Sequence, residues 1–194
     1  MEIIKQNIYE ERMRRIKEFG SIADLSFEAG ATWGMEHAND ATKPLKGPND
    51  KKVIYLIGSL RNKEIPNIAN QLRDLKFEVF DDWHSVSPNG DDLWKEYEIK
   101  RGRTYEEALK GWHAHNVFDF DKKHVDDSDI GVLIMPAGKS AFLELGYIIG
   151  QGKSGFILMD DQERYDVMVL FTEVTGGSVC FSIEALKEKL KILL

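Results

Sequence analysis

The sequence predicts an α/β fold in which one parallel β-sheet lies between two layers of helices. Beyond Lys52 the chain alternates short apolar runs with longer amphipathic segments, which is the pattern of parallel strands joined by crossover helices. The chain has 194 residues, of which 42% are hydrophobic, enough for one substantial core and too few for a second catalytic domain. We therefore expect one α/β domain at residues 51–194, preceded by a separate segment.

Residues 1–50 are predicted to form a helical arm and a linker. Apolar side chains recur at roughly helical spacing in residues 8–19 and 22–37. Residues 39–52 are rich in Pro, Gly, Asn, Asp and Lys and offer little to bury, which is typical of a connecting loop.

Four strands and four helices are predicted within the α/β domain. The strands are residues 53–57, 77–80, 130–135 and 156–159, and the helices are residues 65–75, 105–125, 141–150 and 183–193. Residues 167–181 offer one or two more strands, whose pairing the sequence leaves open. This order of elements is typical of a flavodoxin-like or Rossmann-like three-layer sandwich.

Polar and charged residues follow three of the predicted strands. The segment GSLRN follows the first strand, DDW follows the second and PAGKSAFLELG follows the third. Ligands of open parallel sheets bind beyond the carboxyl ends of the strands, where the strand order reverses. We therefore expect a small-molecule site at this edge.

Composition and charge exclude several classes of protein. A formal net charge of -7 with scattered Lys and Arg argues against binding a nucleic acid polymer. The N-terminal residues include many charges, unlike a signal peptide, and no apolar run is long enough for a membrane span. A cytoplasmic protein without a membrane partner is therefore expected. The single cysteine, Cys180, is predicted to be a core residue and excludes a disulfide framework.

Neither of two common cofactor-binding motifs is present in full. GKS occurs at residues 138–140 and 152–154, but the leading glycine of a P-loop would fall on Leu133 or Tyr147. No GxGxxG follows the first strand. His113 and His115 are two residues apart on a predicted helix, where they point in different directions and do not converge on one ion, even with His124 further along. We expect neither a metal nor an organic cofactor.

Glu144 is the main candidate for a catalytic carboxylate. If Ser140 caps a helix that begins at Ala141, Glu144 lies about one turn into it, and the helix dipole favours its ionised form. The surrounding AFLELG is apolar, which gives a charged residue there a functional interpretation; the alternative is an ordinary exposed helical glutamate. Gly146 and Gly150 are predicted to lie on a face that approaches the sheet closely.

Two further side chains are candidates for the same site. Asp121 and Asp129 bracket the entry into the third strand, and the alternation of acids with Phe118 and Phe120 indicates that one carboxylate faces inward. Tyr55 lies in the first predicted strand. Such a tyrosine is usually a core residue, but here its hydroxyl is expected near the ligand end.

Three segments together resemble one known family. YLIGSLRN, then FDFDKKHVDDSDIGVLIMP, then SAFLELGYIIGQGKSGFIL, over roughly residues 53–160, resemble the nucleoside 2-deoxyribosyltransferase superfamily, which includes the 2'-deoxynucleoside 5'-monophosphate N-glycosidases. The resemblance implies that Glu144 attacks C1' of the sugar, that Asp121 handles the proton on the base, and that Tyr55 orients the nucleophile by a hydrogen bond. It also implies a homo-oligomer.

The resemblance also suggests residues that bind the substrate. GSLRN is similar to the GS-x-R segment of the monophosphate N-glycosidases, so Ser59 and Arg61 become candidate phosphate ligands; for Arg61 the alternative is a surface arginine. Other candidates at the strand ends, including a tryptophan that could stack on the base, are Gly58, Asn62, Asp81, Trp83 and Ser140. The loop GKSAFLE is poorer in glycine than the family pattern, which leaves substrate identity open.

The expected reaction is cleavage or transfer at the N-glycosidic bond of a (deoxy)nucleoside or its 5'-monophosphate, through a covalent glycosyl-glutamate intermediate. Whether water or a second base meets that intermediate stays open. Two alternatives remain. One is an N-glycosidase acting on NAD or another signalling nucleotide, and the other is a non-catalytic nucleotide-binding sensor.

Overall fold

The computed structural model describes residues 51–160 and 165–194. The predicted helical arm and the linker up to residue 50 lie outside the described residues. The described strands are β1 (Val53–Ile57), β2 (Glu78–Phe80), β3 (Ile130–Ile134), β4 (Ser154–Leu158) and β5 (Ser178–Cys180). The described helices are α1 (Ile65–Asp74), α2 (Gly90–Lys100), α3 (Tyr105–Leu109), α4 (Trp112–Asp127), α5 (Lys139–Gly150) and α6 (Ile183–Lys191), with 3-10 segments at Asp82–Ser85 and Val167–Thr175. No helix among them is long and apolar enough to cross a membrane.

The five strands form one parallel sheet in the order β2-β1-β3-β4-β5. The chain moves from β1 to β2 at one edge and then returns to the other side of β1 as β3. The strand order therefore reverses between β1 and β3, as in flavodoxin-like sheets, where ligands bind beside the reversal. The predicted three-layer fold is confirmed, and the site expected from the sequence belongs beyond the ends of β1 and β3.

Alternating residues of β1 contribute to two separate core layers. Ile54 and Leu56 pack with α1 and α6, whereas Tyr55 and Ile57 pack with residues of α4 and α5. All five residues of β1 are buried, which explains why its sequence reads as a continuous apolar run. The side chain of Tyr55 therefore faces the layer that carries Asp121 and Glu144.

Helix α5 lies close to the sheet because two strand residues lack side chains. A Cβ added to Gly131 would lie 2.8 Å from Ile148 Cδ1, and one added to Gly155 would lie 2.7 Å from Ile149 Cγ1. The prediction that Gly146 and Gly150 make this approach is wrong, since both are exposed and open space surrounds their Cα atoms. The strand glycines leave space above the sheet, and Ile148 and Ile149 of α5 occupy that space.

One predicted helix needs correction, one helix is missed, and the structure settles the segment at residues 167–181. The helix predicted at residues 105–125 is two helices, α3 and α4, because Gly111 adopts an extended backbone with φ -79 and ψ 152. Helix α2 was not predicted; its only buried residue is Glu98, so no apolar stripe marks it. Residues 167–181 contribute one strand, β5, after a 3-10 segment, and Cys180 at its end is a buried core residue as predicted.

Replacing Gly177 by alanine is expected to destabilise the fold by about 2–4 kcal/mol, because this residue touches the backbone of β4. An added Cβ would lie 1.7 Å from the carbonyl oxygen of Gly155, so the backbone itself has to move. Gly146→Ala is the control: nothing lies within 4 Å of an added Cβ there, and helix propensity favours alanine. Urea unfolding curves compare the two, and equal midpoints for Gly177→Ala and the wild type contradict the expectation.

Candidate active site

The three predicted catalytic side chains lie on the same side of the sheet. Tyr55 is at the centre of β1 and is buried, while Asp121 in α4 and Glu144 in α5 are half-buried. Helices α4 and α5 contact each other and both contact β1. The fold therefore brings together residues that are 23 and 66 positions apart along the chain.

The electrostatics of the three groups are coupled. Burial raises the pKa of Asp121 to about 7. Burial, together with the charge of Asp121, raises the pKa of Glu144 to about 7. The pKa of Tyr55 is raised by burial and then by the charges of Asp121 and Glu144. Because such charge effects decline with distance, the two carboxyl groups and the phenol lie near one another.

Asp121 and Glu144 therefore titrate as a pair near neutral pH. Two neighbouring carboxyl groups disfavour double ionisation, so the last proton is held more tightly than by either group alone. With both pKa values raised to about 7, the pair holds roughly one proton at neutral pH. A site of this kind contains an ionised carboxylate and a neutral carboxylic acid at the same time.

A stack of rings supports the inner face of α4 against β1. Tyr55 stacks on Phe80 with ring centroids 5.3 Å apart, and Phe80 stacks on His124 at 3.9 Å. His124 Nδ1 lies 3.2 Å from the carbonyl oxygen of Phe120. Burial lowers the pKa of His124 to about 4, so the ring is neutral at pH 7. His124 thus packs beside the site, one helical turn from Asp121.

The other two histidines lie further along α4. His113 is half-buried near Trp94, with ring centroids 5.9 Å apart, and His115 is exposed. Within residues 51–160 and 165–194, no group of three or more His, Cys, Asp or Glu side chains is arranged to hold a metal ion.

Asp126 and Lys153 fix α4 relative to α5. Asp126 Oδ1 accepts hydrogen bonds from the Tyr147 hydroxyl at 3.0 Å and from Gln151 Nε2 at 2.8 Å. Lys153 Nζ donates to the carbonyl oxygens of Val125 at 3.0 Å and Asp126 at 2.6 Å, at the negative end of α4. These bonds join the carboxyl end of α4, which carries Asp121, to the second half of α5, which carries Glu144, and to the turn that follows it.

The loop after β1 packs tightly against α1 and Trp83. An added Cβ at Gly58 would lie 2.8 Å from Ile65 Cδ1 and 3.5 Å from the Trp83 ring, so the loop has no room for a side chain there. Trp83 Nε1 donates to the carbonyl oxygen of Leu56 at 2.7 Å. Trp83 also packs against both core layers, which places its ring at the carboxyl end of β1.

The polar candidates in this loop are engaged within the protein. Ser59 Oγ accepts from the Arg61 amide at 3.2 Å, and Asn62 Oδ1 accepts from the Glu64 amide at 3.0 Å. Asp81, after β2, pairs with Arg73. These contacts shape the loops, and the proposed contacts of these residues with a substrate stay predictions.

Arg61 is held by two carboxylates at the start of α2. Its NH1 donates to Asp91 Oδ2 at 3.1 Å, and its NH2 donates to Asp91 Oδ1 at 2.9 Å and to Asp92 Oδ2 at 2.7 Å. This arrangement is not predicted from the sequence, because α2 itself is missed. The one signal that could have revealed the helix is its acidic first turn after a Pro-Asn-Gly sequence.

The prediction that Ser140 caps α5 is wrong. The helix begins at Lys139, and Gly138 occupies the cap position in extended conformation without a side-chain hydrogen bond. Ser140 is exposed within the first turn. Glu144 is therefore the sixth residue of the helix, beyond the turn where the dipole acts strongly. Burial outweighs the dipole and raises the pKa of Glu144.

No family model and no curated protein matches this sequence. Solved structures do match. A conserved protein from Enterococcus faecalis V583 has a TM-score of 0.52 and 15% sequence identity, covering 74% of this chain and 99% of that chain. Its similarity shows a shared fold.

Two other matching structures have lower TM-scores. A CMP N-glycosidase from Clostridium botulinum has a TM-score of 0.46 and 14% identity, covering 74% of this chain and 100% of that chain. A 2-deoxyribosyltransferase from Bacillus psychrosaccharolyticus has a TM-score of 0.45 and 19% identity, covering 70% of this chain and 90% of that chain.

Proposed function

We propose that this chain cleaves or transfers the N-glycosidic bond of a (deoxy)nucleoside or its 5'-monophosphate, with Glu144 as the nucleophile. The observation that supports this most directly is the half-buried pair of Asp121 and Glu144 beside Tyr55, with both carboxyl pKa values raised to about 7. The sequence resemblance of residues 53–160 supplies the substrate class. A fold with its strand reversal beside these groups is suited to a small ligand.

The first half of the reaction forms a glycosyl-enzyme. The ionised carboxylate of Glu144 attacks C1', and the bond from C1' to the base nitrogen breaks. That nitrogen keeps the bonding electrons and takes a proton from the neutral carboxyl group of Asp121. This is the double-displacement logic of retaining glycosidases, in which one carboxylate is nucleophile and the other is acid. The Tyr55 hydroxyl is proposed to orient Glu144.

The second half of the reaction releases Glu144. The carboxylate of Asp121 takes a proton from water or from an incoming base, and the resulting nucleophile attacks C1'. The ester bond between C1' and Glu144 breaks, which restores the carboxylate. Water gives hydrolysis and a base gives transfer. The first half starts with one proton on the pair, and the second half starts with none on Asp121 and restores it.

A chromatographic screen tests this function. Nucleosides, their 5'-monophosphates and NAD are incubated with the full chain, with and without an added acceptor base. Free base without an acceptor indicates a hydrolase, and a new nucleoside only with an acceptor indicates a transferase. Nicotinamide release from NAD alone indicates a different substrate class. Binding without any base release, unchanged in Glu144→Ala, contradicts the proposal and indicates a sensor.

The activity is expected to depend on pH as a bell with its maximum near pH 7. Below the maximum Glu144 is protonated and cannot attack, and above it Asp121 is ionised and cannot protonate the leaving base. Both limbs follow from carboxyl pKa values raised to about 7. The measurement is kcat/KM across overlapping buffers at constant ionic strength. A profile that is flat from about pH 5 to about pH 9 contradicts the paired titration.

A further inference from the structure

Arg61, Asp91 and Asp92 form a charged group beside the carboxyl end of β1, here named the loop cluster. Both terminal nitrogens of the guanidinium donate to carboxylates, at 2.7 to 3.1 Å. The cluster contains one positive and two negative charges. Its net charge is therefore negative, although Arg61 was the residue that the sequence suggested for binding a phosphate.

The loop cluster is anchored on both sides. On the side of β1, the Arg61 amide donates to Ser59 Oγ at 3.2 Å. On the side of α2, Asp91 and Asp92 lie in the first helical turn, where the helix dipole stabilises negative charge. The hydrogen bonds from Arg61 lower the pKa of Asp91, so this carboxylate is ionised at neutral pH.

The remaining charges at this edge leave its net charge negative: Lys63 and Glu64, which follow Arg61 in the same loop, are exposed and opposite in charge. Arg73 is paired with Asp81 and also donates to the carbonyl oxygen of Val79 at 2.9 Å. Asp82 adds a further carboxyl group. On the other side of the strand reversal, Lys139 is exposed in the first turn of α5; within the described part of the chain, no ion pair involves it. A lone exposed lysine is a weaker phosphate site than a free arginine fork.

We propose that Asp91 and Asp92 are specificity-determining residues that disfavour a 5'-phosphate, so that the substrate is an unphosphorylated nucleoside. This inference rests on the proposed function for the identity of the ligand class. A phosphate dianion that approached Arg61 would meet two carboxylates, which already accept three hydrogen bonds from its five N–H donors. A neutral 5'-hydroxyl meets no such repulsion.

The test compares the four common deoxynucleosides with their 5'-monophosphates. Affinity is measured by calorimetry, and base release is measured in parallel, for the wild type and for the Asp91→Asn, Asp92→Asn double variant. The wild type is expected to prefer the nucleosides. The double variant keeps the side-chain shapes, removes both negative charges and is expected to increase the monophosphate-to-nucleoside ratio about tenfold or more. Adding Arg61→Ala to the double variant is expected to remove that gain.

Glu106→Gln serves as the matched control. Glu106 is exposed and pairs with Lys110 on α3, so its replacement makes the same kind of change away from the loop cluster. It is expected to leave the ratio unchanged. A ratio that rises equally in Glu106→Gln indicates a general effect of net charge and overturns the inference.

Two further outcomes separate this inference from the proposed function. If the wild type prefers monophosphates and Lys139→Ala removes that preference, the phosphate lies at α5; the inference is then wrong and the function stands. In the second outcome, nucleosides bind selectively and the binding ratio shifts in the double variant, but no base is released. The inference about specificity then holds, while the proposed reaction fails. A ratio that is unchanged in a folded double variant overturns the inference in either case.

Discussion

Replacing Glu144 by glutamine lowers kcat/KM for base release by about 10³-fold or more, the scale of loss when a covalent nucleophile is removed. The amide has nearly the same shape as the carboxylate, but it carries no negative charge and cannot form the ester bond to C1'. The half-buried position of residue 144 in α5 tolerates this change without disturbing the packing. The measurement is the initial rate of base release, followed by chromatography under saturating and limiting substrate.

A mass spectrum of the denatured enzyme provides a second readout for Glu144. Wild-type protein quenched during turnover is expected to carry the mass of the glycosyl group on the peptide that contains Glu144, and Glu144→Gln is expected to carry none. Glu184→Gln is the control, because Glu184 is exposed on α6, in the helical layer on the opposite face of the sheet. Wild-type rates in Glu144→Gln, or an adduct on another residue, contradict the assignment of the nucleophile.

The sequence predicted the sheet because its strands are buried on both faces. The five buried residues of β1 and of β3 produce continuous apolar runs that few other structures require. Tyr55 stood out as the polar group within such a run, and Glu144 stood out within an apolar helix. These local contrasts, together with the family resemblance, select three residues that lie on the same side of the sheet.

The surroundings of the site were harder to predict, because they depend on contacts between distant segments. Arg61 pairs with Asp91 and Asp92, which lie 30 and 31 positions further along the chain. This pairing requires α2. That helix lacks an apolar face, so periodicity does not reveal it. The cap of α5 was assigned to Ser140 by residue preference, whereas the backbone places Gly138 there.

The close approach of α5 to the sheet shows the same limit. Glycines on a helix and glycines on a strand both permit two elements to touch, and one sequence does not say which pair is used. The predicted pair was Gly146 and Gly150; the observed pair is Gly131 and Gly155. The contacts of Ile148 and Ile149 with the strand glycines show which pair is used.

Neutralising either carboxyl group of the candidate active site is expected to stabilise the folded protein at pH 8. The pKa of Glu144 rises from 4.5 to about 7 and that of Asp121 from 3.8 to about 7 on folding. Between these values the folded state binds protons more tightly than the unfolded chain, so the free energy of unfolding falls as the pH rises from about 4 to about 8. Glu144→Gln and Asp121→Asn are each expected to raise it at pH 8 by about 2–4 kcal/mol.

The same comparison needs no knowledge of the substrate, which makes it an independent test of the site. Below about pH 3 both carboxyl groups are protonated in the folded and unfolded states, so the gain from Glu144→Gln or Asp121→Asn is expected to disappear. Asp119→Asn is the control, because Asp119 is exposed on the same helix and its replacement should change stability by less than about 0.5 kcal/mol at either pH. Urea unfolding at the two pH values provides the measurement. A loss of stability in both amide variants at pH 8 contradicts the expectation. It means that the two carboxylates make stabilising contacts in the folded protein.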